Sequence, residues 1–566
     1  MRILNIIYIT TFIILLNSCG LSHMANKYNT VNYVVNPENL EAHAGKITLD
    51  LEANFPEKYF AKQATVSLTP VLVYETGETA FKTIKIQGEE ATGGEKTIFY
   101  ATGGKFSYQD NIDYEKKMNN SRLEIRAIAK LKDKLRSAAN LEDQEQILGP
   151  INIASGVMAT SRRVFNNEDL ANDNHAYEHE TIIEKTATIY FLVNQSKIRT
   201  TEKSDEDIKQ LTDFVKNKYK THSIEIMSYA SPEGSVNTNE NVSEKRMKST
   251  MQYTKNLLKT LKVDGADNNE LYTETSIGED WEGFESIVKL SQMKDKRRIN
   301  KIVNSVEDVE LREQQIRDLS EIYDALKDNV LPQLRKAVIV IRSFEPKRSD
   351  EEIANLSITS PDSLDLKELL FSATLNNDKN VQASIYNSVI ELHNDWRGYN
   401  NLACIHLSEN DLDKAMEFLD RAENVLGGKG QHDILTNKGI IYARKGELKK
   451  AQKLFDQANT TELNQAILDI RQGEYNKAAR YFKNKTSYNA TLAQMMNGNN
   501  SVNCNENTAS CSYLNAIIAA RRGENDLAIS NLTKAVSADA NYKIEAINDI
   551  EFINLRTSEL FIKLTE

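Results

Sequence analysis

Hydrophobic positions change their spacing several times along the chain, and each change marks a different kind of structure. An apolar run from Ile3 to Leu16 follows the basic Arg2 and is too short to cross a bilayer comfortably. From about Tyr33 to Val164 the period is two. Val66 and Leu68 alternate with Thr65, Ser67 and Thr69, Ile84 and Ile86 with Thr83 and Lys85, and Leu123, Ile125 and Ala127 with Glu124 and Arg126. Such alternation predicts half-buried strands. Turn signals such as Thr92-Gly93-Gly94 and Thr102-Gly103-Gly104 separate them, so residues 28–165 are expected to form an antiparallel sandwich.

The next stretch, 165–187, is acidic and polar and reads as a linker. Within it His175 and His179 stand four apart, a spacing that places two metal ligands on one helix face. No third ligand accompanies them, so a solvated loop is the expectation. Residues 188–262 then read as strand, helix, strand, loop and helix. Ile189–Val193 is an apolar run of strand length, Ser204 and Asp207 open a helix burying Ile208, Leu211 and Val215, and Ile224 and Ile226 mark a second strand. The last helix of the stretch is expected to bury Met247, Met251, Leu258 and Leu261. About 50 residues of largely helical pattern precede one more strand near 335–341.

From 364 onward the spacing is helical and periodic. Ala403, Asn410, Ala415 and Ala422 correspond to Gly439, Gly446, Ala451 and Ala458, with Ala415 to Ala451 a step of 36 residues. Ala466, Gly473 and Ala478 repeat the offsets, as do Ala516, Gly523, Ala528 and Ala535, although the steps of 27 and 50 make the array irregular. Phe455 and Phe482 follow four residues beyond an alanine. The pattern resembles tetratricopeptide repeats (TPR), in which small residues let two antiparallel helices approach and an aromatic fills the space beside them. A concave polar face of such an array implies protein partners.

Two further resemblances bear on function. Leu16-Asn17-Ser18-Cys19 resembles the lipobox of bacterial lipoproteins, which implies removal of a signal peptide over 1–18 and acylation of Cys19. The string from Ser228 to Met247 resembles the OmpA-like C-terminal domain, with Gly234, Ser235, Asn239, Ser243 and Arg246 matching in register and Tyr229, Ser231 and Glu233 standing in the loop before them. That resemblance implies an α/β domain over 180–345, carrying a helical insertion, that binds peptidoglycan without cleaving it. In the family an aspartate and the arginine hold the two charged ends of diaminopimelate, one opposite charge for each. Arg246 keeps one half of that arrangement. Ser231 occupies the aspartate position and cannot supply the other charge, so either Glu233 supplies it or Arg246 caps the loop instead.

The expected fold is therefore multidomain: an immunoglobulin-like all-β sandwich, an α/β OmpA-like domain and an all-α TPR solenoid over 364–566. The whole resembles an OmpA-like envelope lipoprotein of the Bacteroidota type, facing the periplasm from the outer membrane. Composition narrows the partners. In 566 residues, Lys+Arg 70 against Asp+Glu 81 leaves a net charge of −11 with no long basic block, which disfavours nucleic acid. No phosphate loop, serine elbow or His-Glu-x-x-His motif appears, so neither an enzyme nor a cofactor is expected. Cys404 lies in an apolar helical pattern as a small core residue, and Cys504 and Cys511 flank a polar loop where export permits a disulfide, while their spacing of seven with no His or further Cys nearby does not make a zinc site. Two functions remain open: a scaffold docked to peptidoglycan that recruits proteins through sandwich and repeats, or an assembly and secretion factor that grips clients with no hold on the wall.

Overall fold

The computed structural model describes residues 20–131, 144–293, 295–428 and 431–566. Cys19 and the expected signal peptide lie outside the described residues. The chain forms two compact units, and their order along the sequence is nested. Residues up to Asn174 and Asp378–Glu566 make one, while His175–Asn377 make the other.

The inserted unit is built on a four-stranded sheet in the order Ile182–Tyr190, Lys336–Phe344, Thr221–Ala230, Tyr272–Glu279, of which only the last pair is parallel. Helices Glu206–Lys216 and Val236–Thr260 supply Ile208, Leu211, Val215 and Leu258 to a core with Ala187, Ile189, Ile224, Ile339 and Ile341. The second helix buries two of the four apolar residues expected to face inward, Met251 and Leu258, and otherwise turns a polar stripe to the sheet. Its inner stripe is Asn239, Ser243, Arg246, Thr250, Met251, Thr254 and Leu258, while Met247 and Leu261 stay half-exposed. The strand ends beneath it present carbonyls that need donors, and polar residues meet that need. Strand Tyr272–Glu279 carries no run of alternating apolar residues, because as an edge strand much of it faces solvent. Between Trp281 and Leu334 short helices close on a separate small core containing Phe284, Val288, Ile299, Ile316, Leu326 and Leu331.

In the other unit, period-two alternation is realised almost residue by residue. Strand Lys46–Phe55 buries Ile47, Leu49, Leu51, Ala53 and Phe55 and turns the intervening residues outward. It pairs with Gly104–Asp113 in a five-stranded sheet, and Ala64–Tyr74 lies between Ser121–Leu131 and Ile84–Gly88 in a seven-stranded one. The inner faces of both sheets share one core, closed at an edge by Phe55, Phe60 and Phe106. The core begins before residue 28: a helical turn over 20–26 places Leu21 and Met24 in it.

The repeats of the same unit are helical hairpins, Trp396–Ser408 with Leu412–Val425, His432–Arg444 with Leu448–Ala458, Glu462–Gln472 with Tyr475–Tyr481, and Ala509–Arg521 with Asn525–Ala538. Asn410, Gly446, Gly473 and Gly523 sit in the left-handed region at the turn of each hairpin, which explains the repeated glycine. The long 50-residue step holds a further first helix, Tyr488–Met496, followed by the loop of the Cys504–Cys511 disulfide instead of a full second helix. Both cysteines are buried, so the bridge fills core space that a helix would otherwise occupy. Among the glycines of the repeats Gly439 marks the tightest approach: a methyl added there would meet the Phe455 ring at 2.4 Å. Gly439→Ala is therefore expected to lower stability by about 1–3 kcal/mol through overpacking, measured by urea denaturation.

Candidate functional site

The loop after strand Thr221–Ala230 brings the sequence candidates of the α/β unit together, but each is engaged with its own chain. Arg246, only 2% exposed, donates from Nε to the Gln195 carbonyl at 3.0 Å, from Nη1 to that of Tyr229 at 2.9 Å and from Nη2 to that of Leu192 at 3.1 Å. Burial and the nearby Arg335 push its pKa down to about 10, which leaves it charged at neutral pH. Glu233 forms a two-pronged pair with Arg335 at 2.8 and 3.1 Å and accepts the Ser231 hydroxyl at 2.7 Å. Asn239 donates to the Gly234 carbonyl and to Glu279, and Tyr229 lies under the Lys336 ammonium at 4.9 Å. A clasp for a zwitterion needs two unpaired opposite charges at one surface. Here Arg246 caps the loop, and Glu233 is neutralised by Arg335 instead of offering a free anion.

Beside this loop a second carboxyl faces Glu279. Glu313, on the helix Val309–Arg317, is buried beside Glu279 and pairs with Arg317 at 3.3 Å, while the Glu279 carboxylate accepts from Asn239 and from the Trp281 indole at 3.0 Å. Burial, then the adjacent Glu279 charge, raises the Glu313 pKa to about 8.

The histidine pair lies against an aromatic ring. The rings of His175 and His179 pack at 5.1 and 5.0 Å on Phe371, on which Tyr177 also stacks, and His179 lies 3.6 Å from Asp350. Among the described residues a metal-capable cluster occurs at Cys504, Glu506 and Cys511, where both thiols are tied in the disulfide.

The most developed polar site lies on the concave face of the repeats, where residues 165–173 run as an extended segment. Asn489 accepts from the Phe165 amide at 2.9 Å and donates to its carbonyl at 2.8 Å. Asn464 does the same for Asp169 at 2.7 and 2.9 Å, Asn437 for Ala171 at 3.0 and 2.9 Å, and Asn401 for Asp173 at 3.0 and 3.4 Å. All four clasped residues are odd-numbered, as the two-residue period of an extended chain requires. Asn400 and the Cys404 thiol add donors to the Ala171 carbonyl, so Cys404 lies under the segment as well as in the helix core. Charge fixes the register. The Glu168 carboxylate, almost wholly enclosed, bonds Arg444 at 2.7 Å and Arg471 at 3.1 Å. Further back along the chain, Arg163 pairs with Glu545 and Asp549 and lies over the Tyr513 ring, and Thr160 donates to Glu551.

Nothing in the acidic composition of 165–174 distinguishes it from a solvated linker, and sequence reasoning missed its role. A signal was present on the other side of the contact. Asn401, Asn437 and Asn464 each stand two residues before the small residue of their repeat, Ala403, Gly439 and Ala466.

Comparison with known proteins identifies the helical part. Residues 397–425 match the tetratricopeptide repeat family. No curated protein matches the chain. Among solved structures, a tetratricopeptide repeat protein from Parabacteroides merdae is 19% identical with a TM-score of 0.27, over 38% of this chain and 90% of that one. YrrB, described as a TPR protein with an unusual peptide-binding site, is 15% identical with a TM-score of 0.20, over 35% and 99%. The protein is multidomain, with a β-rich N-terminal region and a C-terminal all-α, TPR-like region, and repeats of this kind scaffold protein–protein interactions.

The Glu279–Glu313 pair predicts a pH dependence of definite sign. Folded Glu313 holds a proton up to about 8 that the unfolded chain releases near its ordinary 4.5. Its contribution to stability is therefore full below the unfolded value, falls as pH rises from 4.5 to 8 and is level above. Glu313→Gln should narrow the gap in Tm between pH 5 and pH 8.5, followed by the fluorescence of Trp281 in a Trp396→Phe background.

Proposed function

We propose that this chain is a lipoprotein scaffold of a Gram-negative envelope, anchored in the outer membrane through acylated Cys19, facing the periplasm and working by protein–protein contact without catalysis. The observation that carries the reading is the row of asparagines on the concave face. Paired amide groups at successive repeats, each matched to a main-chain N–H and C=O, are equipment for holding a peptide and not for turning over a substrate. The sandwich offers a further protein-binding surface.

Anchoring through Cys19 would leave a very short leash. Leu21 and Met24 are already part of the sandwich core, so acyl chains on Cys19 would hold the sandwich against the membrane surface instead of letting it sample the periplasm. Within this reading the OmpA-like domain is a docking piece whose stem-peptide clasp has been turned inward. Arg246 serves three carbonyls and Glu233 serves Arg335, which favours a factor that assembles proteins over one that grips peptidoglycan through this loop.

The test is co-sedimentation of the full chain with purified peptidoglycan sacculi. Wild-type protein is expected to stay in the supernatant. Pelleting of wild type, lost in Arg246→Ala while that variant remains folded, would restore the wall tether and overturn this part of the proposal.

A further inference from the structure

We infer that the concave face of the repeats is an exchangeable binding site for an extended acidic peptide, filled in cis by residues 165–173 and available to a partner's acidic strand when that segment leaves. The inference rests on the reading of the repeats as protein-binding and names the ligand that they take.

Three observations separate a resident ligand from a structural strut. First, the repeats do not need the segment for their core. The apolar clusters of the hairpins are made from their own residues, such as Ala403, Leu419, Ile440, Phe455, Leu468 and Leu492, and the segment and the residue before it add only Leu170 and Val164 at the margin. Second, the hold is polar. Phe165 is 53% exposed and meets the Tyr488 ring, Leu170 lies at the margin, and the other contacts are polar: main chain against asparagine, Glu168 against two guanidinium groups, Asn166 against Arg471, Asp169 against Thr461 and Asp173 near Arg397. Water can replace such partners when the segment departs, whereas it could not fill an apolar void at the same low cost. Third, the recognition is transferable. The asparagines read amides and carbonyls that every peptide carries, and selectivity comes from the Arg444–Arg471 pair, which accepts an acidic side chain one residue before a clasped position. A basic or neutral side chain there would leave two buried guanidinium groups without a counter-charge.

The tethered segment competes at an effective concentration on the order of mM, so a free peptide meets an occupied groove in the wild-type protein. Changes confined to the segment should open the groove and leave its walls intact. Glu168→Lys removes the anchoring charge. Ala171→Pro, made separately, removes the N–H that Asn437 receives and leaves every charge in place.

The experiment is a fluorescence-anisotropy titration of a labelled synthetic peptide, residues 164–174, against purified full-length wild type and each variant, with circular dichroism to confirm folding. Both variants are expected to bind the peptide roughly a hundredfold more tightly than wild type, the factor set by the tether. A peptide carrying lysine in place of Glu168 is expected not to bind them, and adding Asn437→Ala to either variant should abolish binding. The inference is overturned if folded variants fail to bind, if wild type binds as tightly as they do, or if the lysine peptide binds equally well. Loss of fold in both variants would equally overturn it, since the segment would then be a strut. Failure here leaves recruitment by another face of the repeats standing, and a positive result is independent of whether the protein pellets with sacculi.

Discussion

An extended main chain laid along a groove is stable only if its amides and carbonyls find partners there, and in this protein side-chain amides provide them. Asn401, Asn437, Asn464 and Asn489 each close a two-point contact around one residue of the 165–173 segment. The organisation of the larger unit follows. The segment leaves the sandwich at its C-terminal edge, passes the repeats from last to first and ends beside Arg397, where Asp173 and Asp395 share the guanidinium. Sandwich and solenoid, separated by some two hundred residues of sequence, are thereby joined in one compact body, and a complete α/β unit is accommodated as an insertion between them.

The same constraint shapes the α/β unit. Arg246, the residue with the most obvious ligand-binding appearance, satisfies three carbonyls, two in the loop after Ile182–Tyr190 and one near the end of Thr221–Ala230. Ser243 links strand to helix through Ser228 and Ser276 in the same polar stripe. Glu233 and Arg335 neutralise one another. In both units, polar residues whose spacing reads as a site facing outward are occupied inward with main chain or with each other, because a buried backbone group without a partner costs more than the side chain gains in water.

Legibility in the sequence divided along physical lines. Period-two burial in Lys46–Phe55 and the small-residue offsets of the repeats are local properties, and they predicted strands and hairpins directly. The edge strand Tyr272–Glu279 was not legible, since only its pairing to Thr221–Ala230 makes it a strand. The inner face of Val236–Thr260 was half legible: Met251 and Leu258 are buried as their spacing suggests, but Met247 obeys helical spacing just as well as the polar stripe that is buried in its place. The role of 165–173 was hidden for a deeper reason: asparagine contacts to main chain leave no trace in the sequence of the segment that is held. Only the recurrence of asparagine two places before a small residue recorded it, on the partner more than two hundred positions away.

The central claim is that residues 165–173 are bound as a strand to the asparagine row. Hydrogen exchange of the full chain, read by mass spectrometry with fragmentation to single residues, tests it most directly. The Asp169, Ala171 and Asp173 amides should exchange far more slowly than those of an unstructured peptide, and replacing Asn437 and Asn464 by alanine should release the first two. Exchange of all three at the rate of an unstructured peptide in the wild-type protein would contradict the account.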